Sequence, residues 1–130
     1  MKYLSPKKGF LGIDAELSRS PQVIVVPFGL EKTVSYGGGT KNAPREIIKA
    51  SHQVELFDEE LNKEPYKEIG IKTLKPFLIK NKIKKALDQL SKINEDILSN
   101  DKFPLVFGGE HSITPGSIKP FARKYDEITL

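Results

Sequence analysis

An α/β fold built on a mainly parallel sheet is predicted by three features of the chain. Val23-Ile24-Val25-Val26 is apolar at consecutive positions, which suits a strand covered on both faces. A second apolar run, Phe103 to Phe107, ends in a two-glycine turn, Gly108-Gly109. Between them, Asn81 to Ser99 carries Ile83, Ala86, Leu87, Leu90, Ile93, Ile97 and Leu98 at steps of three and four, one apolar helical face. Strands that alternate with helices pair in parallel and carry helices on both sides of the sheet.

The elements follow in order. Residues 1–20 hold no sustained period and read as surface coil. The strand at Val23–Val26 is expected to be limited by Pro27, which has no N–H for a ladder. Gly29 to Asn42 is a long loop containing Gly37-Gly38-Gly39. Asn42-Ala43-Pro44 is a helix-start signal, because Asn can cap and Pro fits the first turn. Arg45 to Ser51 then forms a short helix with Ile47, Ile48 and Ala50 inward. Val54 to Phe57 alternates weakly, as a short strand does; Asp58 to Lys67 reads as loop; Ile69 to Leu74 is extended and stops before Pro76.

In the long helix, Lys84 with Asp88 and Lys92 with Asp96 are spaced to pair, in the weaker orientation. Lysines in its first turn oppose the helix dipole, so burial of the apolar face must hold it. Asn100-Asp101 is a turn, a helix spans Pro115 to Lys124, and Asp126 to Leu130 looks like the start of a further strand.

Composition narrows the function classes. With 38% apolar and 29% charged residues the chain is globular, and no apolar run approaches the ~20 residues that span a bilayer. The N-terminus lacks the apolar core of a signal peptide. Absence of cysteine excludes disulfides, thiolate metal sites and a cysteine nucleophile, and makes the cytoplasm the expected compartment. The net charge of +4 is mostly lysine; Arg19, Arg45 and Arg123 are the only arginines. Nucleic-acid readers favour arginine and interleaved aromatics, so Lys80, Lys82, Lys84 and Lys85 read as a solvated helix face.

Three constellations invite chemistry. Gly37-Gly38-Gly39-Thr40-Lys41 suggests a phosphate loop, but Thr precedes Lys and the glycines lie well after the strand, so the segment reads as a glycine turn. His52 ends a short helix with no acid placed beside it, which favours a surface or packing role. Glu110-His111-Ser112 follows a buried strand through two glycines, and in α/β proteins that end of the sheet is where ligands bind. His111 is therefore a candidate metal ligand, with helix capping and core packing as the alternatives; a metal site needs several convergent donors.

These residues also match something known. GGEHSIT after an apolar strand resembles the first metal-binding signature of the ureohydrolase family, which comprises arginase, agmatinase and their relatives. VSYGGGTKNAPREIIKASHQVELFDEEL is similar to the agmatinase branch, and the resemblance runs from Phe10 to Leu130. It implies an arginase-like three-layer α/β/α fold, with residues 1–130 as the N-terminal portion of a single domain that continues beyond Leu130.

It further implies two manganese ions that activate water for attack on a guanidinium carbon, converting agmatine to putrescine and urea. His111 takes the role of one manganese ligand; Glu110 is not assigned as a ligand, and no further catalytic or cofactor-binding residue is assigned. The family's remaining ligands lie in DAHxD-type and DxD-type motifs that this stretch lacks, so the chain by itself is expected to be inactive. Family members commonly form homo-oligomers, and neither nucleic acid nor membrane is implied. Guanidinobutyrate, arginine and formiminoglutamate are alternative substrates within the family. The alternative outside it is a noncatalytic α/β binding or assembly module.

Overall fold

The computed structural model describes residues 1–13 and 20–129. Its centre is a three-stranded parallel sheet in the order β2-β1-β3, with β1 at Val23–Phe28, β2 at Ile71–Thr73 and β3 at Phe103–Gly108. Among the described residues five α-helices accompany it: α1 (Ala43–Ala50), α2 (Pro65–Ile69), α3 (Ile83–Ser99), α4 (Thr114–Ile118) and α5 (Phe121–Lys124). The α/β class and the parallel pairing are as the sequence predicts.

The apolar run of β1 is apolar because the sheet has two covered faces. Ile24, Val26 and Phe28 point to one side and pack with Leu30, Leu74, Ala86, Leu90 and Ile97, most of them from α3. Val25 points to the other side and packs with Ile13 and Ile71, backed by Phe10, Tyr66 and Phe107. Ile24, Val25, Val26 and Phe28 are fully buried. At ~1.5–3 kcal/mol for each large apolar side chain removed from water, this strand carries a large share of the driving force for folding. Asn94, fully buried on α3, holds α4 in place by donating from Nδ2 to the Ser117 carbonyl at 3.0 Å.

Prolines sit inside two strands, and the pairing explains why. β1 runs through Pro27 to Phe28 rather than stopping before it. Val23 N donates to Gly70 O and Leu74 N donates to Val25 O, so alternate residues of β1 face β2. Pro27 continues that alternation beyond the register of β2, which pairs only with Val23, Ile24 and Val25, so no ladder bond is lost there. In β3, Phe103 N donates to Gln22 O and Gly109 N to Phe28 O, so the odd-numbered residues face β1. Pro104 therefore turns its missing donor to the outer edge, where no strand pairs among the described residues.

The N-terminal segment is more than surface coil. Tyr3 forms an antiparallel bridge with Leu74, Leu4 N donates to Thr73 O, and Lys75 N donates to Lys2 O, so residues 2–4 cover the outer side of β2. Ile13 is buried, and the turn at Phe10–Gly12 docks by donation from Leu11 N to Ser51 Oγ at 2.8 Å. These residues lack a period because they pack through isolated side chains and not through a face. Residues 14–19 of the expected coil lie outside the described residues.

Other local expectations are also corrected. Ile48 and Pro44 are the buried residues of α1, whereas Ile47 is 42% exposed and Ala50 is exposed. Asn42 makes no side-chain cap; Pro44 provides the start. Val54 to Phe57 is not a strand: Val54 and Phe57 are exposed, so no buried face rewards its weak alternation. Pro65 opens α2 inside the expected loop. The Lys84–Asp88 and Lys92–Asp96 pairs are not closed, while Glu95 reaches Arg123 at 3.2 Å. The single helix expected from Pro115 to Lys124 is two short ones broken at Lys119-Pro120, since Pro120 cannot continue the ladder. Residues 126–129 form no strand, and Leu130 lies outside the described residues.

Candidate functional site

The C-terminal ends of β1 and β3 lie side by side, and the segments that leave them form one rim. Phe28 is in register with Gly108. Beyond it the main chains stay locked: Gly109 N donates to Phe28 O at 3.2 Å and Glu110 N to Leu30 O at 3.0 Å. Gly109 is required for this approach, because a Cβ there would run into the Leu30 carbonyl oxygen. The expected two-glycine turn is thus a close backbone contact between two loops.

Glu110 is the buried group at this rim, with 6% of its surface exposed. Its Oε2 accepts hydrogen bonds from the amides of Lys32 and Thr33, both at 2.7 Å. Its Oε1 accepts from Thr33 Oγ1 at 2.8 Å and from Ser112 Oγ at 2.5 Å. Burial alone would raise its pKa, but the Ser112 hydroxyl, the Thr33 and Lys32 amides and the Thr33 hydroxyl outweigh it and bring the carboxyl down to about 2. A carboxylate with both oxygens engaged in this way has no free lone-pair direction for a metal, in keeping with its not being assigned as a ligand.

His111 opens the short turn His111–Ile113 that leads into α4. Its main chain is fixed on both sides: Glu110 is locked as above, and Thr114 Oγ1 donates to the His111 carbonyl at 2.9 Å. Ile113 is buried and sits against Gly108. The imidazole itself is exposed, and among the described residues its ring has no hydrogen-bond partner. Of the readings open from sequence, core packing is thereby removed. Thr114-Pro115 opens α4 without a cap from the His111 side chain.

Among the described residues no group of three or more His, Cys, Asp or Glu side chains stands close enough to hold an ion. His52, as expected, serves packing: its Nε2 donates to the Gly9 carbonyl at 2.8 Å and its ring lies against Gly12.

The Gly37–Lys41 loop is also settled by geometry. Glu31 Oε2 accepts from Gly39 N at 2.5 Å, Thr40 Oγ1 at 3.0 Å and Lys41 N at 3.2 Å. Three of the loop's donors are thus taken by the chain's own carboxylate. The organising roles of Glu31 and Glu110 do not follow from the sequence pattern. The available signal was an acid just beyond each strand, one in Gly29-Leu30-Glu31 and one in Gly108-Gly109-Glu110.

Comparison with known proteins agrees with this fold. The Arginase family model matches residues 21–130. N(1)-aminopropylagmatine ureohydrolase of Synechocystis is 34% identical over 97% of this chain and 43% of its own length. Agmatinase of Bacillus cereus is 30% identical over 84% of the chain and 38% of its own. Among solved structures, the agmatine ureohydrolase of Thermoplasma volcanium superposes with a TM-score of 0.69 at 25% identity, covering 90% of this chain and 39% of that one. The chain thus spans about two fifths of the length of the relatives it matches. With the family model covering both the β1 strand and the His111 turn, this chain belongs to the Arginase family.

Proposed function

We propose that residues 1–130 are the N-terminal portion of a manganese-dependent ureohydrolase domain, and that the intact protein hydrolyses agmatine to putrescine and urea. The observation that carries this reading is the position of His111: an exposed imidazole on a fixed main chain, at the C-terminal rim of a parallel sheet, in a chain similar to agmatinases.

The residues present fit one donor of a manganese site. Imidazole with carboxylate partners suits this ion. His111 would hold it, and the further ligands would come from outside the described residues. When bound, a manganese pair supplies water made acidic enough to attack near neutral pH, together with charge stabilisation at the carbon under attack. This chain's own contribution is a fixed frame: Glu110 binds the turn that carries His111 to the segment after β1. A guanidinium is cationic, so the open cavity of about 810 Å³ whose lining holds five lysines against the single acid Asp88 is a poor place for it.

A second substrate, N(1)-aminopropylagmatine, is favoured by the 34% identity to the Synechocystis enzyme of that name. Urea release from the two compounds by the intact protein separates the readings. A cytoplasmic location and assembly of identical subunits belong to the same proposal.

In the intact protein, His111→Ala is expected to lower manganese occupancy, measured by metal analysis, and to abolish most urea production. Unchanged occupancy would remove His111 from the ligand set.

A further inference from the structure

We propose that Glu110 is a positioning residue for His111: its carboxylate binds the segment after β1 to the turn after β3, and so sets the direction in which the imidazole is presented. This rests on the reading of His111 as a metal ligand. Four donors converge on the one carboxylate, three of them from Lys32 and Thr33, some 77 or 78 positions away in the chain. The fourth, Ser112, lies on the far side of His111, so the carboxylate clasps the histidine's own turn as well as the neighbouring loop.

Main-chain bonds from Gly109 and Glu110 fix the start of the turn, and Thr114 Oγ1 on the His111 carbonyl fixes its end. Glu110 is buried while the next side chain, His111, is exposed. A rotation of this turn would therefore have to break the carboxylate's bonds before it could redirect the ring. Residues that orient a ligand without touching the metal change affinity by ~10–100-fold when removed.

The test uses the intact protein with Mn²⁺ as the probe, read by the electron paramagnetic resonance signal of the free ion, alongside amide hydrogen exchange. Glu110→Ala is expected to speed exchange at Lys32 and Thr33 and to weaken Mn²⁺ binding by ~10–100-fold. Glu110→Gln keeps an oxygen for the two amides and can turn its NH₂ to the two hydroxyls, so it is expected to restore most of both. Faster exchange in Glu110→Ala with unchanged Mn²⁺ affinity would overturn the proposal, leaving a staple with no influence on the histidine.

Should Glu110→Ala fail to fold, Thr33→Val and Ser112→Ala each remove one hydroxyl donor. Each is then expected to weaken Mn²⁺ binding by less than Glu110→Ala would; no change in either variant would overturn the proposal. His111→Ala run in parallel keeps the two readings apart. If it leaves Mn²⁺ affinity unchanged, the ligand reading fails whatever Glu110 does.

Discussion

Two acidic side chains organise the rim, and they work in different surroundings. Glu31, partly covered, gathers the amides of Gly39 and Lys41 and the Thr40 hydroxyl, all within ten residues of itself and on exposed residues. Glu110 gathers the Lys32 and Thr33 amides from a distant part of the chain and is buried. The first closes a local loop; the second joins two strands' exits. A hydrogen-bonded carboxylate that stays in contact with water can exchange its partners for solvent at little cost. One that is buried leaves several donors unpaired when it is lost. The same chemistry should therefore give a local effect in one place and a global one in the other.

Two glycines sharpen the contrast most, Gly109 next to Glu110 and Gly37 in the loop that Glu31 closes. Gly109→Ala forces a Cβ against the Leu30 carbonyl and should cost ~3 kcal/mol, at the upper end of overpacking changes, seen as a lowered urea midpoint. Gly37→Ala meets nothing within 4 Å and suffers only from its φ of 65°, so about 1 kcal/mol is expected. Equal losses would dissolve the distinction between the two turns. A smaller effect is expected for Glu31→Ala: faster amide exchange at Gly39 and Lys41, with the thermal midpoint nearly unmoved. A large drop in that midpoint would show the local loop to be part of the cooperative core.

The smallest effect is in acid. Bonds from Lys41, Gly39 and Thr40 hold the Glu31 carboxyl below its ordinary value of 4.5. Its tie on the loop is then fully present above that value and is lost only as pH falls through the lower folded one. Protection of the Gly39 amide should accordingly persist below pH 4.5, and loss of protection above it would contradict the assignment.

Much of the layout was legible because it rests on local rules. β1, α3 and β3 are marked by continuous or periodic apolar residues, and Thr114-Pro115 marks the start of α4. The unread parts depend on partners distant in sequence. Pro27 is accommodated because β2 ends before it, a fact about another strand. Tyr3 and Ile13 contribute through single contacts, which leave no period. At the rim, the glycine pair and His111 stand out as residue types, but the work of Glu110 rests on Lys32 and Thr33, whose sequence neighbourhood gives no hint of a buried acid.

Pro104 has a consequence for how this sheet can grow. On the free border of β3 the main chain offers hydrogen donors at Val106 and Gly108 but none at Pro104. An added strand would thus find both donors and acceptors toward the end that carries the histidine, and one donor fewer at Pro104. A single imino acid thereby makes the two ends of this border unequal, the better supplied one lying beside the rim.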